Sequence, residues 1–231
     1  MPIKTIEQQD VQALHRIRTL LMRDRIAQSN QIRGLLGEYG VIIAQGSARV
    51  RQQLPCILED AENDLTALSR QMFAQLYERL VALEERIAHY DRQIRELHRA
   101  SPQSCRLEKV RGVGPLIATA TLASVGDARA FKNGRQFAAW IGLVPRQHSS
   151  GGKPRLLGIS KRGDKYLRML LVHGARAVVT QATRRDDRFS RWINALRERR
   201  GMNVTVVAVA NKSARVIWAM LAKDEEYRPA V

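Results

Sequence analysis

From Phe73 onward the chain carries apolar residues at alternating steps of three and four, through Leu76, Leu80, Leu83, Ile87, Tyr90, Ile94 and Leu97. Such steps keep all of these side chains on one stripe of an α-helix, so the spacing predicts a coiled-coil helix over about residues 62–100. At roughly 1.5 Å per residue that helix is on the order of 55 Å long. An earlier helix is predicted over about residues 6–36 from Val11, Leu14, Ile17 and Leu21, after which its apolar pattern weakens. Gly34, Gly37, Gly40, Gly46 and Pro55 fall between the two and read as punctuation of a connection. The economical arrangement is a helical hairpin stem over residues 1–100. Its seams either pack on each other within one chain or join copies into a homo-oligomer.

Ser101-Pro102-Gln103-Ser104 interrupts the helical pattern, because proline disfavours helical backbone in the residue before it, and marks a second domain over residues 101–231. There, Leu116 to Val125 reads as a short apolar helix with Pro115 in its first turn and Gly126 at its end. Further helices are predicted from Asn133 through Ile141, from Lys165 to about Gln181 behind Asp164, from Asp187 to Arg200, and from Asn203 through Leu221. No convincing run of alternating strands occurs. The fold class is therefore all-α: a long helical stem followed by a compact helical domain. Trp140, Trp192 and Trp218 lie among aliphatic neighbours in predicted helices and read as core anchors rather than base-stacking platforms.

Charge changes the picture. The 231 residues carry 39 Lys+Arg against 22 Asp+Glu, a net +17. From Ala128 to Gly163 there is no acid at all, while Arg129, Lys132, Arg135, Arg146, Lys153, Arg155, Lys161 and Arg162 all occur. This local positive field suits a polyanion, and nucleic acid is the leading partner class. Within it, Pro145 to Asp164 reads as a small-residue loop whose serines are candidate nucleophiles. Just upstream, Val110-Arg111-Gly112-Val113-Gly114-Pro115 has the form of a helix-hairpin-helix, in which amide N–H groups at a helix start meet a backbone phosphate. Gly-x-Gly turns of this kind also occur simply to pack helices.

Cys56 and Cys105 are far apart and without ligand-spaced partners, and the five histidines show no paired spacing, so neither a disulfide framework nor a metal site is predicted. The longest unbroken apolar run, Val206 to Ala210 with its near neighbours, is too short to span a bilayer. No membrane partner is predicted, and with only two unpaired cysteines a reducing cytosol fits.

The ordered motifs carry a resemblance. Val110-Arg111-Gly112-Val113-Gly114-Pro115, Gly126 to Phe131, Arg135 to Pro145, Ser150-Gly151, Gly158 to Asp164 and Leu167-Arg168 follow one another as in the insertion-sequence transposases of the IS-one-ten family. The stem and the closing Glu226-Tyr227-Arg228-Pro229 also resemble that family's flanks. The resemblance implies an RNA-guided DNA recombinase in which a RuvC-like domain supplies four acidic residues and a divalent metal such as magnesium, while the C-terminal domain supplies a serine. That serine attacks a DNA phosphodiester and holds the cut strand as phosphoserine. Its position falls on Ser150, with Ser149 the adjacent alternative. Gly112, Val113, Gly114, Arg146, Lys153, Arg155, Lys161, Arg162 and Arg168 would contact nucleic acid.

The resemblance places that acidic domain upstream of the stem, at which this sequence begins. The expectation is a truncated transposase with no cofactor of its own, binding DNA and a guide RNA but cleaving poorly alone. The alternatives are a non-catalytic nucleic-acid-binding module, or an assembly protein whose stem pairs with full-length recombinases and regulates them.

Overall fold

A computed structural model describes residues 4–150 and 153–227, with Ser149, Ser150, Lys153 and Pro154 described by backbone alone. Gly151, Arg228 and Pro229, which the resemblance invokes, lie outside the described residues. The fold is mainly all-α, as the periodicity predicts. The chain divides into two compact units, one formed by Ala13–Gln93 and the other by the residues before and after it.

The first unit holds most of α1 (Ile6–Glu38) and α3 (Ala67–Ala100), with α2 (Ser47–Glu59) between them in sequence. The predicted seam is buried at Phe73, Leu80, Leu83 and Ile87. Phe73 and Leu80 cluster with Ile32, Leu36, Val50 and Leu54, and Leu83 and Ile87 cluster with Leu21. Much of the stem seam is thus satisfied inside one chain. The weak pattern of α1 has a polar cause: its buried positions include His15, Gln28 and Ser29, and Arg18 pairs with Asp91 of α3.

α2 corrects the reading of this region as a connection, and Gly34 and Gly37 lie within α1 rather than after it. Pro55 is inside α2, where it removes the N–H that would bond the Arg51 carbonyl. Tyr77 Oη donates to that carbonyl at 3.3 Å, and the Arg51 guanidinium sits 5.2 Å from the same ring. An orphaned acceptor is satisfied from α3, so the proline is tolerated.

In the second unit Ser101, at the predicted break, caps α4 (Pro102–Glu108) by accepting from Ser104 N–H. Next come α5 (Pro115–Val125), α6 (Gly134–Ile141), a β-hairpin, α7 (Lys165–Gln181), α8 (Arg188–Arg200) and α9 (Met202–Ala222). Asn133, Asp164 and Asp187 cap their helices as predicted. α9 packs against α6, α7 and α8 and contributes Val206, Val209, Ala210, Ala214 and Ile217 to the core. By length and composition α9 is apolar enough to cross a membrane, a property that a count of unbroken apolar residues misses. Gln8 and Gln12 of α1 donate to the Leu122 and Ala123 carbonyls in the last turn of α5, which explains why the first turns of α1 belong to this unit.

The hairpin is the second correction. Pro145–Ser150 (β1) pairs antiparallel with Lys153–Ile159 (β2), where a loop is predicted. Gln147, His148, Arg155, Leu156 and Leu157 are all exposed. Among the described side chains of the ladder only Ile159 is half-buried and none is buried, so no apolar–polar alternation was selected.

Candidate nucleophile and phosphate site

The hairpin stands where two chain segments cross. α6 ends at Gly142, whose left-handed backbone (φ 80°) returns its N–H to the Ala138 and Ala139 carbonyls. Beyond β2, Ser160 N–H donates to Val144 O at 2.8 Å and Lys161 N–H to Gly142 O at 3.2 Å. A Cβ on Gly142 would stand 2.1 Å from Arg162 O, and one on Gly163 (φ 83°) 1.7 Å from Trp140 O. Positive φ and backbone proximity both demand glycine at these positions. Lys161, at φ 56°, holds a conformation that side chains other than glycine seldom adopt. Arg168 closes the arrangement, its Nη1 donating to Ile141 O (2.8 Å) and Arg162 O (3.0 Å). The Gly-Leu-Val-Pro and Ser-Lys-Arg-Gly-Asp motifs are therefore the two jaws of a clamp on the hairpin foot. Only the glycine in each jaw hints at this in the sequence.

The clamp brings several predicted site residues together. Arg146 and Arg155 on the strands, and Lys161 and Arg162 at the foot, are exposed. Among the described residues none of the four enters an ion pair. Four cations without counter-charge make a local positive potential. Ser150 ends β1 with its backbone opposite Lys153. Half-buried Arg168 is spent on two carbonyls and positions the foot from within, unlike the exposed cations.

Gly112, Val113 and Gly114 lie elsewhere. A Cβ on Gly174 of α7 would stand 2.0 Å from Gly112 O, so the α4–α5 turn and α7 meet backbone to backbone, and Val113 is buried in the core. Gly174 is nine residues beyond Lys165, roughly 14 Å along the helix, so this turn is not part of the hairpin cluster. Arg111 beside it donates Nη1 to both Asp187 carboxylate oxygens (3.0 and 2.9 Å) and to Ser190 Oγ (3.3 Å). Its guanidinium holds the Asp187 carboxyl well below the usual carboxylate range, and the Ser190 hydrogen bonds add to this against the opposing pull of desolvation. The cation at this turn is neutralised within the fold.

Among the described residues no group of three His, Cys, Asp or Glu side chains is placed to hold a metal ion. The carboxylates among the described residues do not gather into a set that fits a divalent metal. The tryptophans divide: Trp140 and Trp218 pack against the core, whereas Trp192 is 37% exposed and stacks on Phe189.

Residues 104–191, from α4 across the clamp and hairpin into α8, match the family described as Transposase IS116/IS110/IS902 family. A Pseudomonas aeruginosa protein named "Probable family 20 transposase" is 49% identical over 230 residues, covering 99% of this chain and 68% of its own length. The "Transposase for insertion sequence element IS1111A" of Coxiella burnetii is 48% identical over 225 residues, 97% of this chain and 62% of its own. The "Transposase for insertion sequence element IS1328" of Yersinia enterocolitica is 36% identical over 218 residues, 94% and 64%. The class is that of insertion-sequence transposases. Within it, the chain belongs to the IS116/IS110/IS902 family, and it spans 62 to 68% of the length of these relatives.

Proposed function

We propose that this chain grips DNA and supplies the nucleophilic serine for strand cleavage and rejoining in transposition. Ser150 Oγ attacks a DNA phosphodiester: an O–P bond to serine forms, the bond to one deoxyribose oxygen breaks, and the seryl proton passes through solvent to that leaving oxygen. Rejoining reverses these steps with an incoming hydroxyl. A serine hydroxyl is a weak nucleophile unless a base or a strong positive field stabilises its alkoxide. Arg146, Lys153, Arg155, Lys161 and Arg162 supply that field and neutralise the phosphate oxygens as charge shifts. The observation that carries this reading is the clamp-held hairpin with exposed, unpaired cations, whose first strand ends at Ser150.

Completing the site takes an acidic, divalent-metal-binding domain in the same or another polypeptide, and a guide RNA selects the target. The protein works in the cytoplasm on nucleoid DNA. The α4–α5 turn, a helix-hairpin-helix in form, offers the Gly114 and Leu116 N–H groups as a second phosphate contact, since Pro115 has no N–H and those of Ile117 and Ala118 donate to Gly114 O. Exposed Ile17, Leu20, Leu68 and Met72 on α1 and α3 favour self-association of the stem. The test mixes this chain with a separately expressed acidic domain, guide RNA and labelled duplex. A denaturant-resistant protein–DNA adduct should form and disappear in Ser150→Ala but not in Ser149→Ala. An adduct that survives Ser150→Ala overturns the assignment.

A further inference from the structure

A second cationic surface begins at the root of the hairpin and uses none of the residues assigned to the serine site or the α4–α5 turn. Pro145 and Ile159, the first and last residues of the paired strands, form one rim of a groove of about 1130 Å³ that continues along α9 to α8. Asn211 Nδ2 donates to Leu143 O at 3.2 Å, fixing α9 to that root. The groove has two components. One is apolar, with Val204 54% and Trp192 37% exposed. The other is cationic: Arg135, Lys212 and Arg215 line it, and no carboxylate does. Lys212 Nζ lies 4.8 Å from the Trp192 ring centroid and 5.0 Å from that of Phe189. The two rings stack at 5.6 Å and 11°.

A duplex offers phosphates to such a groove but keeps its base faces stacked inside, where they cannot cover exposed indole or valine. An unpaired strand offers both, placing phosphates on cations and base faces on the aromatic and apolar wall. We infer that this groove binds an unpaired stretch of the nucleic-acid strand beside the hairpin, with Trp192 as its stacking surface and Arg135, Lys212 and Arg215 as its phosphate contacts. This rests on the proposed strand-exchange role, in which strands leave their duplex near the serine. Local sequence pattern holds no sign of it, since Trp192 and Lys212 come together only through the packing of α8 on α9.

The test measures anisotropy of labelled dT12 and of a labelled 12-base-pair duplex, with intrinsic tryptophan fluorescence read in parallel. Trp192→Ala should weaken dT12 binding about 5- to 150-fold, the range for removal of one base stack, and change duplex binding by less than about twofold. Trp192→Phe, which keeps an aromatic face, should retain most of the dT12 affinity but lose most of the quenching. Lys212→Ala with Arg215→Ala should flatten the dT12 salt slope by about 1.4. Wild-type dT12 affinity in Trp192→Ala overturns the inference while leaving duplex binding through the hairpin intact. Should Trp192→Ala instead weaken self-association of the chain in sedimentation, with dT12 unaffected, the groove is a protein contact and the inference falls. If neither oligonucleotide binds the wild-type chain, the proposed function falls with it.

Discussion

The hairpin foot and the α4–α5 turn are built alike and charged differently. Each brings two glycine-bearing segments into backbone contact, Gly142 and Gly163 at the foot, Gly112 and Gly174 at the turn. Each has arginine beside it. At the foot, the run from Ala128 to Gly163 holds no acid, and among the described residues Arg146, Arg155, Lys161 and Arg162 enter no ion pair. At the turn, Asp187 takes up Arg111 from 76 residues away. Glycine geometry makes the turn, but the distribution of carboxylates decides whether the arginine beside it is left open to an anion.

The most damaging substitution at either site is Gly163→Ala. Its Cβ would sit 1.7 Å from the Trp140 carbonyl at φ 83°, and a clash with backbone combined with a disfavoured dihedral should cost about 4 kcal/mol. Gly114→Ala, with nothing within 4 Å, should stay within about 0.5 kcal/mol of wild type. Chemical denaturation of both variants checks the difference.

Acid separates the stem from both turns. Burial first, and the nearby Arg18 charge second, lower the His15 pKa from 6.5 to about 4. The unfolded chain therefore binds the proton more readily than the folded one. The stability this group contributes is fully present above pH 6.5 and is lost as pH falls through about 4, up to ~3 kcal/mol in all. Urea unfolding between pH 7.5 and 4 should show that decline, and His15→Leu should flatten it. Asp187 behaves differently, since its depressed pKa keeps the Arg111 pair charged throughout that window.

A smaller effect is expected from Arg111→Ala. It should lower Tm less than Gly163→Ala does and leave duplex affinity unchanged, because that guanidinium is already paired. Thermal unfolding and an anisotropy titration on the same variant check both halves.

The legible parts of the molecule were those written in local chemistry. Asp164, Asp187 and Asn133 announce their helices because a cap acts within three residues, and the α3 seam was readable because one stripe of it is buried. α2 was hidden by Pro55, whose missing hydrogen bond is made good by Tyr77, a residue no local window contains. The hairpin was hidden because exposure on both faces erases alternation. Of the candidate site, the cations and Ser150 were visible as composition and motif. The role of Arg168 as an internal tie was not, since it depends on the Ile141 carbonyl, 27 residues distant.

On the proposed function, the hairpin's cations meet nucleic acid and Arg111, held by Asp187, does not. The most direct measurement is the salt dependence of duplex affinity for Arg146→Ala/Arg155→Ala beside Arg111→Ala. The double variant should flatten the log–log slope by about 1.8, roughly 0.9 for each phosphate no longer neutralised, and Arg111→Ala should leave it unchanged. A slope that flattens only in Arg111→Ala would contradict the account.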